Sequence, residues 1–402
     1  MDESRVPVVV GAARTPIGRF LGSLSSLKAP ELGGAAIRAA LARAGAEPAE
    51  VDEVIMGNVV SAGLGQAPAR QAAFHGGLPE TVGAMSVNRV CGSGLQAVIL
   101  AAQAVRAGDA QIVAAGGMES MSNAPHYLRG LRRGLRLGDA PLTDGLIYDG
   151  LRCSFGECHM GGHAEYTAWK AGITRDEADR FALESHQKAV RAIDEGKFRE
   201  EIVPVEVDTP RGRTTVTEDE SPRRDTSLEA LSRLNPAFVS DLPPEVEVPI
   251  VTAGNSPGLN DGGAAVVVAS LAYAEANGLP VLARINAYST GAVAPRDLFF
   301  APVTAVRRLM AKEGRSIDDY DLIEANEAFA VQALADGRAL GWDWDRVNVH
   351  GGAIALGHPI GASGARVLVT LLHALIDRDL TTGLATLCLG GGDAVALSVE
   401  RI

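Results

Sequence analysis

Short runs of valine, isoleucine and leucine alternate with longer alanine-rich stretches along most of the chain. A short continuous apolar run predicts a buried strand, whereas apolar residues that recur every three or four positions predict a helix. The first third of the chain has predicted strands at 6–10, 54–60, just before Cys91 and at 110–116, and predicted helices at 31–45 and 95–107. The last third has predicted strands at 264–269, 281–287, 321–324, 347–349, 384–389 and 395–399, and predicted helices at 303–313, 327–340 and 365–376. This alternation, found twice, predicts a duplicated α/β domain whose strands are mostly parallel and covered by helices.

The segment from about 120 to 248 breaks the alternation, so we expect an insertion made largely of loops. It has proline-rich stretches, one predicted long helix at 175–195, and the arginines Arg129, Arg132, Arg133, Arg136, Arg223 and Arg224. These arginines fit two interpretations, a solvated surface or a phosphate-binding face beside a site.

Composition narrows the class of protein. The 402 residues carry a net charge of −12, which argues against a nucleic-acid-binding protein because phosphate neutralisation needs a basic surface. Four cysteines in so long a chain indicate free thiols in a reducing compartment. The acidic N-terminus lacks the apolar stretch of a signal peptide, and no run of about 18 apolar residues stands out. We therefore expect a cytoplasmic protein that binds neither nucleic acid nor membrane.

The stretch VNRVCGSGLQAV places a lone thiol, Cys91, between a predicted strand and a predicted helix. The first turn of a helix offers unpaired N–H groups and positive potential, which favour a reactive thiolate. Gly92 and Gly94 let the backbone approach a bound group and leave N–H donors for an oxyanion. The sequence at this point fits either a nucleophile or a buried inert cysteine.

Two further glycine-rich turns carry reactive side chains. The stretch NVHGGAIALGHPIGASG holds His350 and His358 but has neither the Walker spacing nor the dinucleotide-binding spacing of glycines. Its glycines are expected to pack around a ligand, with His358 as a base. Near the end of the chain, Cys388 stands at a predicted strand end, followed by three glycines and Asp393. Two thiols and a histidine in such turns favour catalysis over packing.

A metal site is the competing interpretation of another segment. Cys153, Cys158, His159 and His163 are soft ligands of the kind that zinc prefers. Their spacing is not a common zinc spacing, and adjacent residues such as Cys158 and His159 tend to point apart.

Taken together, the motifs of this chain resemble those of the thiolase family, the acetyl-CoA acetyltransferases and 3-ketoacyl-CoA thiolases. The resemblance extends nearly end to end and rests on ARTPIGRFLGSL, GLGQAPARQAA, VNRVCGSGLQAV, GGMESMSNAPH, CHMGGHAEYTA, PRRDTSLEAL, VTAGNSPGLNDGGA, EANEAFA, GGAIALGHPIGASGAR and CLGGGD. It implies two similar α/β domains, with mixed sheets covered by helices, packed face to face with a loop domain inserted in the first. We accordingly expect an N-terminal domain at 1–120 plus 249–272, a CoA-binding loop domain at 121–248 and a C-terminal domain at 273–402.

The resemblance also implies catalytic roles. Cys91 matches the nucleophile that accepts the acyl group, and His358 matches the base that activates it. Cys388 matches the acid/base that exchanges the α-proton of acetyl-CoA. Asn326 matches the residue that stabilises the enolate oxygen through a water beside His358, and the N–H groups of Cys91 and Gly390 match a second oxyanion hole. We further expect His358 and the helix start to hold Cys91 as thiolate near neutral pH, with Cys388 near an ordinary thiol pKa of about 8.5.

The resemblance implies that the chain binds acetyl-CoA and 3-ketoacyl-CoA, needs no metal or other cofactor, and forms a homodimer or homotetramer. The residues expected to contact CoA or the acyl group are His159, Met160, Arg223, Arg224, Phe238, Ser256 and Leu298. His159 then belongs to the pantetheine and acyl pocket, which displaces zinc. Departures from the family pattern occur at His163, Tyr166, Pro257, Phe299, Phe300, His350 and Asp393.

The expected activity is the reversible condensation of two acetyl-CoA to acetoacetyl-CoA and CoA. The departures leave open a thiolase for longer or unusual 3-ketoacyl chains. A protein of another class, which binds CoA esters without turnover, is the remaining alternative.

Overall fold

The computed structural model of the protein describes residues 3–210 and 212–402. Its strands are β1 (Pro7–Arg14), β2 (Gly18–Arg19), β3 (Glu53–Gly57), β4 (Gly83–Val87), β5 (Ile112–Ser120), β6 (His126–Leu128), β7 (Leu142–Asp144), β8 (Val205–Thr209), β9 (Gly212–Val216), β10 (Asn260–Ser270), β11 (Ala283–Ala292), β12 (Leu322–Ala325), β13 (Thr382–Leu389) and β14 (Asp393–Glu400). Its α-helices are α1 (Ala29–Ala44), α2 (Pro68–His75), α3 (Ser93–Ala107), α4 (Met160–Ala171), α5 (Arg175–Asp194), α6 (Leu228–Ser232), α7 (Leu271–Asn277), α8 (Ala301–Glu313), α9 (Ala330–Leu340), α10 (Ala353–Leu356) and α11 (Ile360–Asp377).

The helix ends follow from local sequence. The predicted long helix of the insertion is α5, which begins at a capping box in which Thr174 and Glu177 satisfy each other's backbone N–H groups. Helix α1 stops at Gly45, whose φ of 65° is the left-handed conformation that glycine adopts without a Cβ clash.

One mixed sheet runs through both halves of the chain, in the order β4, β3, β5, β10, β1, β11, β14, β13 and β12. The halves meet where β1 pairs antiparallel with β11, with Val8 opposite Arg284 and Val9 opposite Ala283. On either side of this seam the order is the same: first strand, last strand, the strand before it, then the second strand. The repeated order agrees with the predicted duplication.

The prediction of mostly parallel strands is wrong. Among the described strands of this sheet, the parallel pairs are β12 with β13, β3 with β4, and β3 with β5. Strands β10 and β14 each pair antiparallel with both of their neighbours in the sheet order. The direction of β14 is set by the glycines after Cys388, because Gly391 and Gly392 have φ of 91° and 92° and turn the chain straight back. Strand–helix alternation alone does not show such a hairpin.

Helices α3 and α11 form the central layer of the molecule. They pack on each other and on strands of both halves in one continuous apolar core. The outer face of the first half is covered by α1, α2 and α7, and that of the second half by α8. By length and apolarity the stretches Val90–Ala107 and Ile360–Asp377 resemble membrane spans, but 56% and 83% of them are buried inside the protein. Both serve as core helices.

The predicted strand at 347–349 is not a strand. Val347 makes a single parallel bridge to Ile323, and Asn348 then turns the chain with a φ of 45°. The Asn348 side chain completes the pairing instead, since its Oδ1 accepts from Ala325 N at 2.9 Å and its Nδ2 donates to Ala325 O at 2.8 Å. A side-chain amide thus replaces the backbone of the missing strand.

The segment between β5 and β10 lies outside the large sheet and has more regular structure than the loops expected from the sequence. It contains the hairpins β6–β7 and β8–β9 and the helices α4, α5 and α6, none of which joins the large sheet. The exact domain boundaries proposed from the sequence stay predictions.

Candidate active site

A cavity of about 300 Å³ lies where the turn before α3, the β13–β14 hairpin, the start of α11 and the insertion meet. The sequence-predicted residues that line it are Cys91, His159, Met160, Phe238, Ser256, Leu298, His358, Cys388 and Gly390. Nine residues that are far apart in the chain are therefore gathered around one largely apolar space.

Cys91 is presented by a strained turn. Val90, immediately before it, has a φ of 47°, which costs a β-branched residue roughly 1–3 kcal/mol. The chain then enters α3 at Ser93, so the thiol lies just before the helix start, as expected. A Cβ on Gly92 would lie 2.1 Å from Leu389 Cδ2, and one on Gly94 would lie 2.6 Å from Ala365 N. The glycines let the Cys91 turn close against the second half of the molecule.

Burial raises the pKa of the Cys91 thiol to about 12. The backbone N–H groups of Cys91 and Gly390 oppose this shift by stabilising the thiolate, whereas the nearby Glu119 carboxylate reinforces it. The expectation of a resting thiolate near neutral pH is thus wrong, because desolvation outweighs the helix start in this cavity. The two N–H groups do lie where they would stabilise negative charge beside the sulfur.

His358 has the orientation of a base. Its Nδ1 lies 2.6 Å from Ser363 Oγ, and Ser363 Oγ donates its own proton to Pro359 O at 3.0 Å. Because that hydroxyl proton is already used, Nδ1 carries the imidazole proton and Nε2 keeps a free lone pair. His358 Nε2 is buried and has no hydrogen-bond partner among the described residues. Burial, with a contribution from Arg366, lowers the pKa of His358 to about 3, so the resting imidazole is neutral.

Cys388 and Asn326 complete the expected set. Burial raises the pKa of Cys388 well above its usual value, so the expected ordinary thiol pKa is wrong. Asn326 is 1% exposed, and neither its Oδ1 nor its Nδ2 has a partner in the described part of the chain. It does not line the cavity wall itself. A buried amide without partners is costly and indicates that a ligand or water completes its hydrogen bonds.

Glu119 was not predicted as a site residue from the sequence, although it lies within GGMES, part of one of the motifs that resemble the thiolase family. Its carboxylate accepts from Val59 N and Gly361 N, both at 3.0 Å, and from Asn58 Nδ2 at 2.8 Å. Burial raises its pKa to about 7. Glu119 therefore ties the first half of the protein to the start of α11, directly beside His358. The sequence signal was only a polar residue at the end of a buried strand.

Aromatic rings from the insertion and the second half form one wall of the cavity. His159 stacks on Phe238 with 4.7 Å between ring centroids, and its Nδ1 accepts from Gly161 N. This capping contact occupies Nδ1, and the described residues contain no group of three or more His, Cys, Asp or Glu side chains placed to hold a metal. Ser256 borders the cavity but donates its hydroxyl to Thr252 O at 2.8 Å, so it offers a ligand only lone pairs.

Arg223 and Arg224 are not brought to the cavity wall. Arg224 forms an exposed ion pair with Asp194 at 2.7 Å, and the Arg223 backbone N–H donates to His186 Nδ1. Any contact of these arginines with CoA would involve the part of the ligand outside the cavity, and it stays a prediction.

The unusual residues at other positions have separate structural roles. Asp393 forms an ion pair with Arg89 at 2.6 Å, which fastens the β13–β14 hairpin to the turn before Cys91. His163 and His350 are buried outside the cavity, and burial lowers the pKa of both. Tyr166 carries the Arg296 guanidinium 4.0 Å above its ring. Pro257 lines the cavity.

Comparison with known proteins decides the family. Residues 7–272 match the model described as thiolase, N-terminal domain, and residues 279–401 match thiolase, C-terminal domain. The chain belongs to the thiolase family. This thiolase is 55% identical to an acetyl-CoA acetyltransferase of Pseudomonas aeruginosa over 98% of the chain and 99% of the relative, and 53% identical to one of Cupriavidus necator with the same coverage. The crystal structure of the Bacillus anthracis acetyl-CoA acetyltransferase superposes with a TM-score of 0.96 at 40% identity over 100% of both chains.

Proposed function

We propose that this thiolase is an acetyl-CoA acetyltransferase, which condenses two acetyl-CoA molecules to acetoacetyl-CoA and CoA and also catalyses the reverse cleavage. The observation that carries the proposal is the meeting of two thiols, Cys91 and Cys388, with the unpaired Nε2 of His358 at one apolar cavity. The names of full-length relatives support acetyl-CoA as the substrate.

In the first half-reaction, Cys91 Sγ attacks the carbonyl carbon of acetyl-CoA as its proton passes to His358 Nε2. The tetrahedral oxyanion is stabilised by the N–H groups of Cys91 and Gly390, which already act on the sulfur of the free protein. CoA leaves as its thiolate sulfur takes the proton from His358, and an acetyl thioester remains on Cys91. Both groups are neutral at rest, so the proton passes from sulfur to nitrogen as the new C–S bond forms.

In the second half-reaction, Cys388 gives its proton to His358 and its thiolate removes an α-proton from a second acetyl-CoA. The raised pKa of Cys388 makes its thiolate a stronger base, as a weak carbon acid requires. Asn326, whose buried amide has no partner among the residues that the structure describes, stabilises the enolate oxygen through a bound water. The enolate carbon attacks the thioester, and the Cys91 sulfur leaves and recovers the proton from His358.

Each step balances with groups of the protein and its substrates, so we infer that no metal or redox cofactor takes part. CoA is product and substrate only. The two thiols must remain reduced, which supports a cytoplasmic location.

We also propose a homodimer or homotetramer. The strand β4 lies at the edge of the large sheet with its backbone pairing only to β3, and its Met85 is 40% exposed. An uncovered edge strand with an apolar side chain favours association with a second copy. Light scattering coupled to gel filtration tests this proposal, and a monomeric mass at working concentration would contradict it.

The activity is tested by incubating the protein with acetyl-CoA and measuring intact and peptide masses. We expect one acetyl group on the Cys91 peptide, none in Cys91→Ala, and acetoacetyl-CoA cleavage that depends on CoA. Binding of acetyl-CoA without any acylation would instead support the protein that binds CoA esters without turnover. Acetylation confined to Cys388 would reverse the assigned roles.

A further inference from the structure

Phe299 lines the same cavity as Cys91 and Cys388. It belongs to the short 3-10 segment Pro295–Phe300, which packs against α4, α9 and β13, the strand that carries Cys388. The side chain is 2% exposed and borders the cavity beside Leu298. It therefore shares the cavity wall with the thiols Cys91 and Cys388, beside which the reacting acyl group must be held.

The Phe299 ring is fixed by other rings. It meets Phe329 edge to face at 5.3 Å between centroids, and Phe329 meets Phe238 edge to face at 6.1 Å. Phe238 in turn lies flat over Gly161, where a Cβ would come within 2.1 Å of the ring. Rings interlocked in this way cannot turn aside independently, because each one is in contact with the next.

The buried apolar cluster that contains Phe299 includes small side chains of α4. Phe299 shares one buried apolar cluster with Ala164 and Ala168 of α4 and with Cys388. Because the segment Pro295–Phe300 packs against α4 and β13, the Phe299 ring fills volume in this cluster beside the strand that carries Cys388. A smaller residue at 299 would extend the cavity toward α4.

We propose that Phe299 is the specificity-determining residue that closes the acyl end of the cavity and restricts the enzyme to acetyl and acetoacetyl groups. The inference rests on the proposed function and deepens it. It favours the short-chain activity over a thiolase for longer 3-ketoacyl chains. Each methylene that a closed apolar pocket must reject changes kcat/KM by about 10- to 200-fold.

The test is CoA-dependent cleavage of 3-ketoacyl-CoA substrates with four, six and eight acyl carbons, measured as kcat/KM. The variants are Phe299→Ala, the milder Phe299→Leu, and Phe300→Ala as a matched control. Phe300 is the neighbouring residue, does not border the cavity, and packs under Lys170, whose Nζ lies 5.3 Å from the ring centroid. Acetylation of Cys91 by acetyl-CoA reports in each variant that the site is still assembled.

For the unaltered enzyme we expect the six-carbon substrate to be cleaved at least about 10-fold less efficiently than acetoacetyl-CoA. Phe299→Ala should raise the six-to-four-carbon ratio by at least about 10-fold, and Phe299→Leu by less, while Phe300→Ala leaves the ratio unchanged. An unaltered enzyme that is acetylated on Cys91 yet cleaves all three chains alike would overturn the inference and leave the proposed function standing. The inference would also be overturned, with the proposed function standing, if Phe299→Leu and Phe299→Ala both kept the original six-to-four-carbon ratio while Phe299→Leu was still acetylated. Absence of acetylation and of all cleavage would instead overturn the proposed function, and the inference with it.

Discussion

Asp336 provides a quantitative test of how burial controls charge near the active site. It lies on α9, is 0% exposed, and accepts from Gln332 Nε2 at 2.6 Å through Oδ2, while its Oδ1 has no partner in the described part of the chain. Gln332 in turn accepts from Ala328 N at 2.9 Å, and Ala328 lines the cavity. Desolvation raises the pKa of Asp336 well above its usual value, because a single hydrogen bond does not compensate for burial.

The perturbation is Asp336→Asn, which keeps the shape and the acceptor for Gln332 but cannot ionise. Above a pKa of about 3.9 the unfolded chain releases the Asp336 proton, whereas the folded protein retains it. The folded state then binds the extra proton, so its free energy of unfolding falls as pH rises toward the raised pKa. Between pH 5 and pH 6 the free energy of unfolding falls by about 1.3 kcal/mol because of this one carboxyl group. An asparagine side chain does not titrate, so Asp336→Asn lacks this decrease.

The assay is urea unfolding at pH 5 and pH 6 for the unaltered protein, Asp336→Asn and Asp345→Asn, whose aspartate is exposed. The stability of Asp336→Asn relative to the unaltered protein should increase by about 1.3 kcal/mol over this interval, while that of Asp345→Asn should not change. All other titrating groups cancel in the difference. A constant difference for Asp336→Asn would mean that this carboxyl ionises like an exposed one, and the argument from burial would be refuted.

Three further predictions concern the chemistry. Cys388→Ser should still be acetylated on Cys91 but should lose condensation, because a hydroxyl is a far poorer base; loss of acetylation in this variant would contradict the division of roles. Ser363→Ala should lower kcat by roughly 10- to 100-fold, with little change in KM, because the imidazole base loses the partner that fixes its tautomer; an unchanged kcat and pH profile would limit Ser363 to packing. Replacing Arg223 and Arg224 together by alanine should lower the affinity for CoA measured by calorimetry and make that affinity depend less on salt concentration. An unchanged affinity would show that both are surface residues only.

The sequence predicted helices better than strand partners. The periodic apolar faces of α1, α5 and α11 depend on local pattern, so their positions were found to within a few residues. Strand direction depends on how distant segments meet, and the seam between β1 and β11 has no local signature. The β13–β14 hairpin does have one, the glycines between the two predicted strands, but the alternation of strands and helices alone does not use it. At 347–349 the residues favour a strand, but the Asn348 amide supplies the pairing instead.

Prediction of the active site from the sequence has the same limit, because local pattern does not show which distant segments meet. Cys91, His358 and Cys388 were selected as candidates from their glycine-rich turns, whereas their separate catalytic roles came from the resemblance to the thiolase family. Their protonation states did not follow, since the depth of burial depends on the whole fold. Glu119 was missed for a similar reason: its function lies in the N–H groups it collects from remote segments.

The repeated strand order has a consequence for the origin of the site. Two identical chains related by symmetry would carry the same residue at both equivalent turns, so a thiol could face only a thiol. Once the two copies are joined in one polypeptide, each turn can change alone. Here the turn before α3 carries Cys91 and the turn before α11 carries His358, and the two helices pack side by side in the central layer. The pairing of a nucleophile with its own base is therefore an asymmetry that two similar halves of one chain allow at equivalent turns and that two identical chains do not.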